Sequence, residues 1–157
     1  MVEKVWLKSY PKGVPAEIDP NVFDSIVDIF EQSCNKFKQM PAMRNLGCTL
    51  TYQQLDECTR QFAAYLQKTL GLVKGDRFAV MLPNLLQYPI AMLGALRAGL
   101  IVVNVNPLYT ARELTHQLKD SGAKAIIVLS NFAHVLQTSL PQTDRSEERR
   151  VGKECRL

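Results

Sequence analysis

Apolar residues follow two different spacings along this chain, and the spacing changes near residue 75. Between about 22 and 69 they repeat every three to four residues, as in helices that bury one face. Beyond Lys74, short apolar runs alternate with helical segments. The predicted strands cover 77–82, 100–104 and 125–129, with helices over 86–98 and 110–121 and another starting near Asn131. Apolar strands that alternate with helices predict an α/β fold, a mostly parallel sheet with helices on both faces.

Capping residues set the expected helix boundaries. Thr51 with Gln54 and Thr110 with Glu113 have the spacing of capping boxes, which predicts helices over 52–69 and 110–121. Asn21 is predicted to cap an earlier helix over 22–38. One face of that helix would carry Val22, Ile26, Ile29, Phe30 and Phe37.

Short turns connect the other elements. Gly47 separates the extended runs 42–46 and 48–50, which predicts a hairpin. Residues 78–105 are apolar enough to suggest a membrane span, but Pro83, Asn84, Gln87, Pro89 and Arg97 interrupt them. We therefore expect a buried strand, helix and strand there. The proline-rich stretch before Asn21 predicts an extended leader over 1–20.

Composition restricts the function only slightly. The net charge is +4, but residues 145–157 contribute half of it, with five Lys or Arg against three Glu. The balanced charge of the remainder argues against a nucleic-acid partner. The four cysteines, Cys34, Cys48, Cys58 and Cys155, form no CxxC pair and fit a reducing cytosol as small core residues.

Polar residues follow two of the predicted strands. In a parallel sheet the loops after Leu82, Asn104 and Leu129 meet at the carboxyl edge, where ligands of α/β proteins usually bind. Asn84 lies in the first loop, and Asn104 and Asn106 flank the exit of the second strand. These asparagines could line a ligand channel, but hydrogen bonding within the loops is the favoured interpretation because no nucleophile or base accompanies them.

The two histidines lack metal-ligand partners in the sequence. His116 is predicted to lie on a solvated helix face, whereas His134 could be a core residue. Neither has an Asp, Glu or Cys at a spacing typical of metal sites, so no metal site is predicted. The chain also has no GxSxG or GxGxxG motif.

Five short motifs nevertheless carry a family resemblance. They are GDR at 75–77, PN at 83–84, RAG at 97–99, NPLYT at 106–110 and DSGAK at 120–124. Together with the leader KVWLKSYPKGVPAEIDP, they resemble the adenylate-forming acyl-CoA synthetases, in particular bacterial long-chain fatty-acid–CoA ligases. All are scaffold motifs, and enzymes that act on another carboxylic acid remain an alternative within the superfamily.

The resemblance implies a chemistry that this chain does not carry. Such enzymes join a fatty acid to ATP with Mg²⁺ to form an acyl-adenylate, which coenzyme A then attacks. Their TSGTTGxPKG phosphate loop, YGxTE and TGD motifs and terminal lysine have no counterpart among the 157 residues. We therefore expect no catalytic, cofactor-binding or metal-binding residues here, and an inactive N-terminal fragment. The resemblance also implies a cytoplasmic location, with peripheral contact at the inner face of the membrane.

The last residues differ in character from the rest. Residues 145–156 resemble the in-frame translation of a sequencing-adapter oligonucleotide, so 145–157 is predicted to be an artefactual tail behind a truncated AMP-binding domain over 21–144. The alternative is a genuine basic tail on a small free-standing α/β binding or interaction module.

Overall fold

The computed structural model describes residues 3–143, so the predicted tail and Cys155 lie outside the described residues. Helices and strands alternate along this part of the chain as the apolar pattern predicted. The helices are α1 Ile26–Lys36, α2 Tyr52–Lys68, α3 Gln87–Arg97, α4 Ala111–Ser121 and α5 Ala133–Ser139; the strands are β1 Pro41–Asn45, β2 Cys48–Thr51, β3 Arg77–Met81, β4 Ile101–Asn104 and β5 Ala125–Val128. Short 3₁₀ turns cover Val5–Ser9, Ser130–Phe132 and Leu140–Gln142.

Two parallel pairings build the larger sheet. β3 lies between β4 and β5, with Phe78 opposite both Val102 and Ala125. Alternate residues of β3 therefore enter two different cores. Phe78 and Val80 pack with α2 and α3, whereas Ala79 and Met81 pack with α4 and α5. The predicted α/β fold with helices on both faces of a parallel sheet is confirmed.

Local capping is observed where the sequence predicted it. Thr51 accepts a hydrogen bond from Gln54 N, and the Gln54 side chain bonds back to Thr51 N, so α2 begins with a complete capping box. α4 begins in the same way with Thr110 and Glu113. At its other end Gly122 has φ of 64°, a left-handed conformation that glycine adopts without strain.

The first helix begins later than predicted. Its N-cap is Ser25, whose side chain accepts from Asp28 N, rather than Asn21. Asn21 N instead donates to Asp19 Oδ1 at 2.9 Å, so this residue belongs to a turn that includes Pro20. The predicted apolar face is also only partly correct: Phe30 is buried, but Val22, Ile26 and Ile29 remain exposed.

The long apolar segment folds as a strand, a helix and a strand, as predicted. β3, α3 and β4 occupy it in turn. None of the helices described between residues 3 and 143 combines the length and the apolar character that crossing a bilayer requires. The leader predicted to be extended contains one 3₁₀ turn, Val5–Ser9, and is otherwise irregular.

Helices α2 and α3 approach closely at Gly94. A Cβ built there would lie 2.9 Å from Phe62 Cδ1 and 3.1 Å from the Thr59 carbonyl oxygen. We expect Gly94→Ala to lower the free energy of unfolding by about 1 kcal/mol, because overpacking outweighs the gain in helix propensity. Urea titration followed by circular dichroism at dilute protein concentration measures this. Gln61→Ala, on the exposed face of α2, is the control and should change stability by less than about 0.5 kcal/mol.

Candidate functional site

The carboxyl edge of the sheet is the first candidate site. Because β3, β4 and β5 are parallel, the loops that follow them emerge at the same edge. The sequence predicted this arrangement and placed Asn84, Asn104 and Asn106 in those loops. Their hydrogen bonds decide between loop bracing and ligand contact.

Asn104 connects the two helical layers at the end of β4. Its Oδ1 accepts from the Tyr88 hydroxyl of α3 at 3.1 Å. Its carbonyl oxygen accepts from Gln117 Nε2 of α4 at 2.9 Å. The other amide atom, Gln117 Oε1, is buried and has no hydrogen-bond partner. Asn104 therefore braces the strand exit from both faces of the sheet.

Asn106 bonds within its own loop through its side chain, whereas Asn84 bonds another element through its backbone. Asn106 Oδ1 accepts from Leu108 N at 3.0 Å, which closes a local turn before the cap of α4. The Asn84 carbonyl oxygen accepts from Asn45 Nδ2 at 3.2 Å, which ties the loop after β3 to the hairpin. The side-chain bonds of Asn104 and Asn106 agree with the favoured interpretation that the asparagines hold the loops in shape, whereas the bond at Asn84 is made by its backbone carbonyl.

The histidines and cysteines lie apart from this edge cluster. His116 is exposed on α4 as predicted, whereas His134 is also exposed rather than in the core. Cys34 is buried, and burial is the main cause that raises the pKa of its thiol. Cys48 is exposed, so the interpretation of the cysteines as core residues is wrong at that position. Over residues 3–143, no three His, Cys, Asp or Glu side chains are grouped to hold a metal ion.

A charged cluster between α1, α2 and α3 was missed by the sequence reasoning. Arg97 of α3 bonds Asp56 of α2 and lies 3.3 Å from Glu31 of α1. Arg60 joins the same two carboxylates, at 3.0 Å from Asp56 and 3.7 Å from Glu31. The Arg97 guanidinium carbon also lies 5.1 Å from the centre of the Phe30 ring. A single arginine in an otherwise apolar helix was the available signal, because a buried arginine requires carboxylate partners.

This cluster changes the titration of Asp56. Burial raises the pKa of its carboxyl, but the hydrogen bond from Arg60 and the charge and hydrogen bond of Arg97 lower it further, so the pKa lies below its usual value. A group whose pKa is depressed by folding stabilises the protein above its unfolded pKa. That contribution is lost as the pH falls through the folded pKa.

We therefore expect stability to decline on acidification below about pH 4, the ordinary aspartate pKa. The free energy of unfolding should fall less steeply in Asp56→Asn, which has no carboxyl to protonate at this position. Urea titrations over a series of acidic pH values measure both slopes. Asp120→Asn, at an exposed position on α4, is the matched control and should keep the wild-type slope, while equal slopes for Asp56→Asn and the wild type would contradict the assignment.

Two open hollows mark the described surface. One of about 720 Å³ runs along α4, lined by Tyr109, Thr110, Arg112, Glu113, His116, Gln117 and Asp120. The other, of about 320 Å³, lies beside the charged cluster and includes Glu31, Arg60 and Arg97. In the first, the Thr110 bonds that complete the cap of α4 also lower the pKa of Glu113. Its carboxylate is therefore engaged by the helix end.

Comparisons with known proteins agree with the sequence motifs. A family model described as AMP-binding enzyme matches residues 30–156. The long-chain-fatty-acid–CoA ligase of Yersinia pestis is 61% identical over 136 residues, which cover 87% of this chain and 24% of that protein. The ligase of the same name from Escherichia coli O157:H7 is 58% identical over 142 residues, 90% of this chain and 25% of that one. The chain thus spans about a quarter of the length of these curated relatives.

The fold is also found among solved structures. A benzoate CoA ligase from Burkholderia xenovorans LB400 superposes with a TM-score of 0.70 at 27% identity, over 73% of this chain and 23% of that one. These similarities confirm the resemblance that the GDR, RAG and NPLYT motifs carry, and they do not favour a free-standing binding module. The chain belongs to the family of AMP-binding enzymes.

Proposed function

We propose that this chain is the N-terminal part of a long-chain fatty-acid–CoA ligase, which as a whole converts a fatty acid, ATP and coenzyme A into acyl-CoA through an acyl-adenylate. The observation that carries the proposal is the 61% identity over 136 residues to a relative of that name. The benzoate ligase shares the fold at much lower identity, so the architecture alone does not choose the acid. The proposed chemistry and substrate therefore rest on the similarity to the fatty-acid ligases.

The role proposed for these residues is scaffolding. The hydrogen bonds of Asn104 and Asn106 shape loops at the carboxyl edge of the sheet, and the caps at Thr51 and Thr110 fix the helices beside it. None of these residues is proposed to be catalytic.

The chain itself does not fit the cofactors of the whole enzyme. ATP with Mg²⁺ needs phosphate-binding backbone and oxygen ligands, and coenzyme A needs a site for its thiol. The described residues offer no cluster of metal ligands, and the sequence has no glycine-rich phosphate loop. We propose that ATP, Mg²⁺ and coenzyme A bind residues outside this chain.

A cytoplasmic location with peripheral membrane contact is part of the same proposal. A long-chain fatty acid partitions into bilayers, so an enzyme that activates it gains substrate by working at the inner membrane surface. Nucleic acid is not a proposed partner, because the charge outside residues 145–157 is nearly balanced.

Sequencing the genomic locus beyond Thr143 tests the proposal. We expect an open reading frame that continues into a glycine- and threonine-rich phosphate loop in place of 145–157. The product of that frame should form oleoyl-CoA from oleate, ATP and coenzyme A. A stop codon after Leu157 in independent reads, or a full-length product that activates only a different class of acid, would overturn it.

A further inference from the structure

Helix α1 is attached to the rest of the protein differently from the other helices. Its buried residues, Phe30 and Cys34, belong to a small core cluster with Leu50, Leu55, Leu86 and Leu93. The other two clusters, which join the sheet to α2 and α3 on one face and to α4 and α5 on the other, contain no residue of α1. The main core can therefore remain packed when α1 moves.

Charged contacts between α1 and the other helices converge on one residue. Among the ion pairs of residues 3–143, the two that reach α1 both end on Glu31, and their partners are Arg97 and Arg60. These two arginines differ greatly in burial. The side chain of Arg97 is only 6% exposed, whereas that of Arg60 is 60% exposed. Solvent screens an exposed pair strongly, so the Arg97 contact dominates.

Arg97 contacts α1 at two residues. Its guanidinium lies 3.3 Å from the Glu31 carboxylate and also over the ring of the preceding residue, Phe30. The same nitrogen, Nη2, also bonds Asp56 of α2, so a second helix holds the guanidinium in place. Arg97 Nε is buried without a hydrogen-bond partner, so the side chain depends on these few contacts for compensation of its buried charge.

The outer face of α1 adds little to its attachment. Ile26 and Ile29 are 62% and 42% exposed, and Val22 and Phe23 just before the helix are exposed as well. Few apolar side chains of α1 are buried, so the hydrophobic contribution to its attachment is small. The segment has the character of a low-stability unit on a more stable body.

We propose that α1 and the residues before it form a strap, a segment that detaches from the rest of the protein as a unit. The contacts of Arg97 with Phe30 and Glu31 hold the strap closed. Opening separates Phe30 and Glu31 from Arg97 and uncovers the apolar surface of Leu50, Leu55, Leu86 and Leu93. The sheet with α3, α4 and most of α2 stays folded in the open state. This inference concerns the conformation of the chain and is independent of the acid that the whole enzyme activates.

Amide hydrogen exchange of the 157-residue chain carried on a soluble fusion partner tests the strap. In Arg97→Met, we expect exchange in 26–36 to accelerate about tenfold, while exchange in 111–121 changes less than about twofold. Arg60→Met is the matched control, because it removes an exposed arginine from the same cluster. It should accelerate exchange in 26–36 by less than about threefold.

A second variant decides the case if Arg97→Met fails to fold. Glu31→Gln removes the charge on the α1 side and leaves the Arg97–Asp56 pair intact, so it should accelerate exchange in 26–36 selectively. The proposal is overturned if Glu31→Gln leaves α1 exchange unchanged, or if α1 and α4 accelerate together. It is also overturned if Arg60→Met loosens α1 as much as Arg97→Met.

Discussion

The purified 157-residue chain is expected to give no ATP–pyrophosphate exchange with oleate above a blank. Forming an acyl-adenylate requires donors that stabilise charge developing on the reacting phosphate, and a metal ion that bridges its oxygens. The carboxyl edge of this chain instead carries asparagines whose recorded bonds brace its loops. Of the two exposed carboxylates along the α4 hollow, Glu113 and Asp120, the first accepts from Thr110 and completes a helix cap.

The assay follows radiolabelled pyrophosphate into ATP in the presence of oleate. A mock purification from the same host is the necessary control, because a bacterial host contributes its own ligase at trace levels. The full reading frame, purified in parallel, should exchange strongly. Oleate-dependent exchange that scales with the amount of the 157-residue chain, and exceeds the mock preparation, would contradict the prediction.

Elements fixed by short-range chemistry could be predicted from the sequence. The capping boxes at Thr51 and Thr110 involve residues three positions apart, so both helix starts were identified correctly. Gly47 marked the hairpin of β1 and β2 for a similar reason. The alternation of apolar strands and helices was sufficient to predict the parallel sheet, because a continuously apolar strand indicates burial on both of its faces.

The start of α1 was less predictable because two capping residues competed. Asn21 and Ser25 are both good N-caps, and the sequence pattern does not say which one the chain uses. The structure uses Ser25, while Asn21 N bonds Asp19. This shift of four residues also explains why Val22 lies outside the helix and exposed.

The charged cluster depended on contacts that are distant in sequence. Asp56 and Arg97 are 41 residues apart, and their pairing exists only because α2 and α3 pack side by side. The sequence identified Arg97 as an interruption of an apolar segment and as part of the RAG motif, but it did not indicate the partners of this side chain. Likewise, the edge position of β5 in the described sheet, beside β3, follows from strand order rather than from any local motif.

Self-association of the isolated chain is the other large expected effect. β5 pairs with β3 on one side, and its opposite side has no strand partner among residues 3–143. All four of its residues, Ala125–Val128, are apolar and only half-buried. An apolar strand with an unpaired edge recruits further strands, so we expect the chain at about 50 µM to elute from size exclusion as large species or to precipitate.

Ile126→Pro is designed to close that edge without breaking the sheet. Leu129 N donates to Met81 O at 3.4 Å, so by the alternation of a parallel ladder Ile127 also faces β3, while the N–H of Ile126 points to the open side. Proline removes that outward donor, and an edge strand tolerates it where the N–H faces solvent. We expect Ile126→Pro to raise the soluble monomeric fraction several-fold.

Ile127→Pro separates edge closure from a general effect of proline. It lies one residue further along the same strand, and its N–H faces β3 by the same alternation, so proline there removes a bond that holds the sheet together. We expect Ile127→Pro to lower both stability and solubility, whereas Ile126→Pro raises solubility alone. If both variants aggregate as the wild type does, the association surface lies elsewhere than the β5 edge. A wild-type chain that stays monomeric at this concentration would show that the open edge is harmless.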